Sequence, residues 1–210
     1  MRIGARPALH GVRIYLITDA HPRVSPIETF LRRAIAAGVG MVQLREKQLD
    51  DAPLLAVARR CAEVCRAAGA FFIVNDRTDI AQAAGADGVH LGQDDLPVGE
   101  VRRIAGDRFL IGLSTHSAEQ IVAARNADID YIGVGPVYET PTKPGRPCVG
   151  TELVRYAVEH AAQPFFAIGG IDPGTVDAVV AAGASRVSVL RYIAQADDPA
   201  AATREILTHL

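Results

Sequence analysis

Short apolar runs alternate along the chain with longer stretches in which apolar residues recur at helical spacing. The apolar runs have the length of buried strands and cover residues 13–17, 41–44, 71–74, 89–92, 109–113, 131–134, 165–168 and 187–190. The intervening stretches predict helices over residues 26–37, 51–68, 78–84, 97–105, 117–126, 151–161, 173–182 and 199–209. The pattern therefore predicts eight consecutive strand–helix units.

A phrase of small residues recurs where a helix gives way to the next strand. It reads Ala-Ala-Gly at residues 36–38, 83–85 and 181–183, and Asn-Ala-Asp at residues 126–128. Glycine at that place fits the left-handed residue that ends many helices, and we expect Asp128 to take the same role. The phrase marks an internal repeat of one structural unit.

Eight such units predict an α/β protein. We expect a single-domain (β/α)8 TIM barrel over residues 1–210, with the active site at the carboxyl-terminal strand ends. The alternative is an open doubly wound sheet, which usually has fewer strands and a glycine-rich first turn. The first turn here, residues 18–22, contains no glycine. This favours the closed barrel.

The composition is that of a soluble globular protein and argues against several functional classes. A formal net charge of −2 with dispersed arginines leaves no electrostatic footprint for nucleic acid. No apolar stretch resembles a membrane span or a signal peptide, which predicts a cytoplasmic protein. Three cysteines are too few and too scattered for a disulfide framework or a zinc site, so we expect Cys61 and Cys65 to be small buried side chains.

Lysine is rare in this chain, since only Lys47 and Lys143 among the 22 basic residues are lysines. Lys47 shares the parity of Gln43 and Arg45 after the second strand, and strand alternation would point all three into the barrel mouth. Two cations and an amide facing inward need an anionic partner, and a diphosphate would provide one. The alternative is a solvated strand end in which Glu46 pairs with a neighbour.

Carboxylates follow two neighbouring strands of the predicted barrel. Asp76 comes after the third strand, and Asp94 and Asp95 come after the fourth. Mg²⁺ is commonly held by one or two carboxylates, with substrate phosphates and water completing its shell. The sequence therefore predicts a magnesium site here, and Ser114 after the fifth strand is a further ligand-binding candidate.

Two later loops predict a second anion site. The proline-stiffened loop of residues 136–150 carries the hydroxyls and cations of Thr140, Thr142, Lys143 and Arg146. Gly170 follows the seventh strand and Leu190-Arg191 end the eighth, where barrels of this type usually bind phosphate. Together the loops indicate an enzyme that handles a metal-bound diphosphate and a second, monophosphorylated molecule.

The motifs in these loops carry a family resemblance that extends over nearly the whole chain. The chain resembles the thiamine phosphate synthase family in Gln43-Leu44-Arg45-Glu46-Lys47, Asn75-Asp76-Arg77, residues 88–95, residues 112–116, residues 133–138 with Thr142-Lys143, and residues 167–171. The resemblance implies that the protein joins hydroxymethylpyrimidine diphosphate to a thiazole phosphate, releasing pyrophosphate through a pyrimidine carbocation. It also implies Mg²⁺ as cofactor and small molecules as partners.

The resemblance implies a role for individual residues. The pyrimidine diphosphate would be held by Gln43, Arg45, Lys47, Asn75, Ser114 and Lys143. Asp76 and Asp95, rather than Asp94, would ligate Mg²⁺. The thiazole phosphate would be held by Thr140, Thr142, Gly170, Leu190 and Arg191. Arg191 departs from the family, which often has serine there.

Three rival functions remain open from the sequence. A thiazole tautomerase shares the barrel and a loop histidine like His116, but it breaks no diphosphate bond and would not need Lys47 with Asp76 and Asp95. A non-catalytic phosphometabolite sensor would bind phosphates without turnover, and an unrelated barrel isomerase would need an acid/base pair. Alanine-rich helix faces are compatible with a homodimer.

Overall fold

Eight parallel strands form a closed barrel. The computed structural model describes residues 6–140 and 147–210. The strands are Ile14–Thr18 (β1), Val39–Leu44 (β2), Phe71–Asn75 (β3), Gly88–Leu91 (β4), Leu110–Thr115 (β5), Tyr131–Val134 (β6), Phe165–Ile168 (β7) and Val187–Val189 (β8). Each strand pairs with its sequence neighbours, and β8 pairs with β1 to close the sheet. The predicted (β/α)8 TIM barrel is confirmed.

Helices follow the strands on the outside of the barrel. In the described ranges they are Ile27–Ala36 (α1), Asp51–Ala68 (α2), Thr78–Ala84 (α3), Val98–Ala105 (α4), Ala118–Ala124 (α5), Gly150–His160 (α6), Val176–Ala181 (α7), Arg191–Ala194 (α8) and Pro199–His209 (α9). The short α8 was not predicted, because four residues are too few to produce a helical period. Within the residues that the structure describes, none of the helices is long and apolar enough to cross a membrane.

Helix α7 begins at Val176 and not at the predicted residue 173. The Thr175 hydroxyl accepts a hydrogen bond from the Asp172 amide at 3.0 Å and lies 2.8 Å from the Gly170 carbonyl oxygen, to which it donates. These bonds hold residues 170–175 as a compact turn beside the strand end. Because α7 starts later than predicted, the loop after β7 is longer.

The sequence predicted that Ser114 follows the fifth strand. In the structure β5 continues to Thr115, so Ser114 lies inside the strand. Ser114 pairs in register with Gly133 of β6. The Thr115 hydroxyl donates to the Gly133 carbonyl oxygen at 3.0 Å, which extends the contact between the two strands. The side chain of Ser114 is thus fixed by the sheet itself.

The repeated small-residue phrase ends helices as predicted where it contains glycine. Gly38, Gly85 and Gly183 have φ values of 121°, 69° and 100°. The prediction for Asp128 is wrong, because Asp76 is the one non-glycine residue at positive φ in the described ranges. Asp128 has a different role: its carboxylate lies 2.6 Å from the Arg6 guanidinium.

The core has two layers, one inside the barrel and one between the strands and the helices. The interior layer includes Tyr15, Met41, Ile73, Leu110, Tyr131 and Phe166. The outer layer includes Phe30, Leu31, Val101, Ile121, Val154 and Val176. Two tyrosines in the interior bring hydroxyl groups into a buried space, where each needs a hydrogen-bond partner.

Candidate active site

A cavity of about 380 Å³ opens at the carboxyl-terminal ends of the strands. This is the end where barrel enzymes place their chemistry, and the volume suits a small-molecule ligand. The cavity is lined by eight of the residues predicted for the site: Gln43, Arg45, Asn75, Ser114, Thr140, Gly170, Leu190 and Arg191. The fold therefore gathers side chains that lie far apart in the sequence.

The end of β2 supplies an amide and a cation to the cavity. Gln43 is only 2% exposed and donates through Nε2 to the Tyr15 hydroxyl. The Arg45 guanidinium makes no hydrogen bond or ion pair to any part of the chain that the structure describes. Glu46 does not pair with it, because the Glu46 carboxylate accepts from the backbone amides of Ala20 and Gln48. Arg45 is thus available for an anionic ligand.

Lys47 lies beside the cavity and is not one of its lining residues. Strand β2 ends at Leu44, so the alternation that predicted an inward Lys47 does not reach it. Its ammonium lies 3.7 Å from Asp76 Oδ2, and its side chain is 57% exposed. Lys47 therefore approaches the predicted metal ligands from the solvent side.

The carboxyl groups of Asp76 and Asp95 lie close enough together to influence each other's charge. Burial and the neighbouring negative charge of Asp95 raise the pKa of Asp76, and the Lys47 ammonium acts in the opposite direction. Asp95 Oδ2 also accepts from the Gly92 amide, which orients it. Asp76 has a φ of 60°, an uncommon conformation for a non-glycine residue.

This carboxylate pair fits a divalent cation. Two partly buried carboxylates facing each other repel when both are ionised, and a cation between them would offset that repulsion. Oxygen ligands of this kind suit Mg²⁺. In the described ranges no third acidic, histidine or cysteine side chain joins them in a metal-ligand group, so substrate oxygens and water would complete the shell.

The loops after β7 and β8 form another sector of the cavity wall. Gly170 has a φ of 65°, and an added Cβ there would lie 2.7 Å from the Tyr138 Cβ. Only glycine fits this close approach, which leaves the Gly170 backbone open to the cavity. Arg191 is exposed at the start of α8 and makes no ion pair within the described residues. This sector thus offers backbone groups and one unpaired cation.

The cavity-lining residues that sequence reasoning missed include Tyr15 of β1 and His90 of β4. His90 Nε2 lies 3.0 Å from the Ser114 hydroxyl oxygen. His116 also lines the cavity, and its Nδ1 lies 2.5 Å from the Gly135 carbonyl oxygen. Tyr15 lies in an apolar run and gives no signal of its own, whereas His90 is a polar residue inside an otherwise apolar strand, which was the available signal.

Two predicted site residues, Thr142 and Lys143, lie outside the described residues, as does Arg146. Thr140, the last described residue before that gap, lines the cavity. The predicted flap therefore starts at the cavity mouth.

The family model and the sequence relatives identify one family. The family model described as thiamine monophosphate synthase matches residues 14–193. A thiamine-phosphate synthase of Acidothermus cellulolyticus is 50% identical over 98% of both chains. That of Gloeobacter violaceus is 48% identical over 98% of this chain, which spans 59% of that longer protein. A solved thiamine phosphate pyrophosphorylase of Pyrococcus furiosus has a TM-score of 0.85 and 31% identity, with 95% of each chain covered. The chain belongs to the thiamine monophosphate synthase family.

Proposed function

We propose that this chain is a thiamine-phosphate synthase, a transferase of thiamine biosynthesis. It would couple 4-amino-2-methyl-5-(diphosphomethyl)pyrimidine with 4-methyl-5-(2-phosphoethyl)thiazole and release pyrophosphate. If the thiazole carries a 2-carboxylate, CO2 would be released as well. The observation that carries the proposal is that one cavity brings together Arg45 and Arg191, two cations unpaired among the described residues, with the Asp76–Asp95 pair alongside. Family membership supports the same activity.

The diphosphate would bind in the sector formed by β2 to β5. Arg45 and Lys47 would neutralise its charge, and Lys143 remains a sequence prediction for the same role. Gln43 and Ser114, both held by hydrogen bonds, would position the pyrimidine ring. Mg²⁺ held by Asp76 and Asp95 would supply further neutralisation of the leaving group.

The thiazole phosphate would bind in the sector formed by the loops after β6, β7 and β8. Gly170 exposes its backbone there, and Arg191 adds a positive charge. Thr140 offers a hydroxyl at the start of the flap. Backbone contacts in glycine-rich loops are the usual phosphate ligands of this barrel.

The proposed reaction breaks the bond between the pyrimidine methylene carbon and the diphosphate oxygen. The electron pair leaves with pyrophosphate, and the thiazole nitrogen lone pair then bonds to that carbon. Arg45 and Lys47 act where negative charge develops, which is where preorganised cations lower a barrier most. Ile17, Ile168 and Ile171 give the cavity apolar walls that limit the access of water to the carbocation.

Release of pyrophosphate tests this proposal. The full chain is incubated with both substrates in Mg²⁺ or in excess EDTA, and pyrophosphate is measured. We expect release only with the metal present. Binding of both substrates without turnover would support the sensor function, and tautomerisation of a thiazole without pyrophosphate release would support the tautomerase function.

A further inference from the structure

Five polar side chains from five strands form a continuous hydrogen-bonded network beneath the cavity, which we name the floor network. Gln43 Nε2 donates to the Tyr15 hydroxyl, which lies 2.8 Å from the Tyr131 hydroxyl. Tyr131 lies 3.2 Å from His90 Nδ1, and His90 Nε2 lies 3.0 Å from the Ser114 hydroxyl oxygen. The network thus joins Gln43 and Ser114, the two residues proposed to position the pyrimidine ring.

Tyr131 is the member of the network that does not line the cavity. It is fully buried, and its ring packs edge-to-face against Tyr15 and Phe166, with ring centres 5.6 Å and 5.7 Å away. A Cβ at Gly112 would lie 2.4 Å from its hydroxyl oxygen. A glycine inside a strand often marks such a close approach, so β5 leaves room for this hydroxyl.

The direction of the hydrogen bonds follows from the donors available. With the Gln43 amide oriented so that Nε2 faces Tyr15, the NH2 group donates and the Tyr15 oxygen accepts. The single Tyr15 proton is then satisfied by donation to Tyr131, because the opposite arrangement would leave it without a partner in a residue only 1% exposed. Tyr131 in turn donates to His90 Nδ1. In a neutral imidazole the proton then sits on Nε2 and points to Ser114.

We propose that Tyr131 is a positioning residue that fixes the Nε2–H tautomer of His90 and thereby sets the hydrogen-bonding direction of Gln43 and Ser114 as one unit. Because Ser114 accepts from His90, its own proton is left for a ligand. Gln43 Oε1 makes no hydrogen bond in the described ranges and is left to accept. Ser114 then offers a donor and Gln43 Oε1 an acceptor, which match the ring nitrogen and the amino group of an aminopyrimidine edge. This last step rests on the proposed function.

The tautomer is measured directly by long-range ¹H–¹⁵N NMR of the full chain labelled with ¹⁵N-histidine. The spectrum stays simple because the chain has only six histidines. The ligand-free wild-type protein is compared with Tyr131→Phe, which keeps the ring and removes the hydroxyl. Tyr156→Phe is the matched control, because the Tyr156 ring stacks on His160 away from the cavity. His90→Ala identifies the His90 signals.

We expect an Nε2–H tautomer for His90 in the wild type and in Tyr156→Phe, and a changed or mixed tautomer in Tyr131→Phe. We also expect kcat to fall roughly tenfold in Tyr131→Phe, the effect of about one lost hydrogen bond. A wild-type Nδ1–H tautomer, or an unchanged tautomer in Tyr131→Phe, would overturn the proposal. The NMR result does not depend on turnover, so absence of thiamine phosphate synthesis would count against the proposed function alone.

Discussion

Lys47 contacts a carboxylate in this structure although it is proposed to bind an anion. The contact with Asp76 is long, at 3.7 Å, and the lysine is more than half exposed, so the ion pair is worth little. An ammonium on a flexible stem can therefore move from Asp76 to a phosphate oxygen at small cost. This explains how Lys47 can serve the site without lining the cavity.

Replacing Lys47 with alanine removes one cation that acts on the leaving diphosphate. We expect kcat to fall roughly 10²–10³-fold, the usual loss when one preorganised electrostatic group is removed. Steady-state kinetics check this, with Arg32→Ala on the exposed face of α1 as control. Lys143→Ala should have a similar effect. Wild-type turnover in either lysine variant would contradict its assigned role.

Asp95→Asn tests the magnesium site. The amide keeps an oxygen that can accept from the Gly92 backbone but loses the charge that binds the cation. We expect the Mg²⁺ concentration for half-maximal activity to rise at least about tenfold. The same shift should appear in Mg²⁺-dependent thermal stabilisation with pyrophosphate present. Asp94→Asn, one residue away and exposed, should leave both readouts unchanged, and an equal effect of the two variants would argue against the assignment.

The polar side chains at the strand ends could be predicted from the sequence. The polar network in the barrel interior beneath the cavity could not. Arg45 and Asp76 follow apolar runs, so their polarity is conspicuous. Tyr15 and Tyr131 sit inside apolar runs and look like core residues. Their hydroxyls meet only because β1 and β6 face each other across the barrel interior, a distance relation that sequence spacing does not contain.

At the scale of elements, the recurrence of apolar residues at helical spacing was sufficient to predict the long helices. The prediction of α2 matches at both ends, and α9 is likewise at residues 199–209. Errors arose at polar residues that make local contacts. The Thr175 hydroxyl bonds to the backbone before α7, and Asp128 pairs with Arg6 and does not adopt a left-handed conformation. Local polar contacts of this kind compete with helix formation and leave no periodic signal.

Helix α2 buries two of the three cysteines, as the sequence predicted. Burial raises the pKa of the Cys61 thiol to about 12 and that of Cys65 also well above its ordinary value. Because only a thiolate reacts readily, the folded protein at pH 8 should titrate close to one thiol with a disulfide reagent, from the exposed Cys148. Denaturant should expose all three, and Cys148→Ser should abolish the fast reaction. Rapid modification of two or more thiols in native protein would contradict the packing of α2.

The two ends of the barrel have different tasks at the scale of the whole molecule. The carboxyl end holds the cavity, whereas the opposite end is tied together by Arg102 of α4. Its side chain is only 9% exposed, and its guanidinium donates to the Phe109 carbonyl oxygen at 2.6 Å and pairs with Asp130 at 3.2 Å. These contacts join α4 to the segments before β5 and β6. In barrels this end generally serves stability.

Arg102→Met should therefore separate stability from catalysis. Removing the charge takes the donor from the Phe109 and Asp128 carbonyl groups and leaves the largely buried Asp130 with only the Ile111 amide and Arg6, so we expect the free energy of unfolding to fall by about 3 kcal/mol. The kcat of the folded variant should stay at the wild-type value. Chemical denaturation and kinetics at low temperature measure the two effects. Arg103→Met, which loses only an exposed pair with Glu100, should change neither, and a large loss of kcat in Arg102→Met would contradict this division.

The central claim is that a single cavity at the carboxyl end of this barrel couples a pyrimidine diphosphate to a thiazole phosphate. Mass spectrometry of the products formed by the full chain with both substrates and Mg²⁺ tests it most directly. The account predicts thiamine phosphate in a one-to-one ratio with pyrophosphate, and neither product when one substrate is omitted. Pyrophosphate without thiamine phosphate, or bound substrates without either product, would contradict the account.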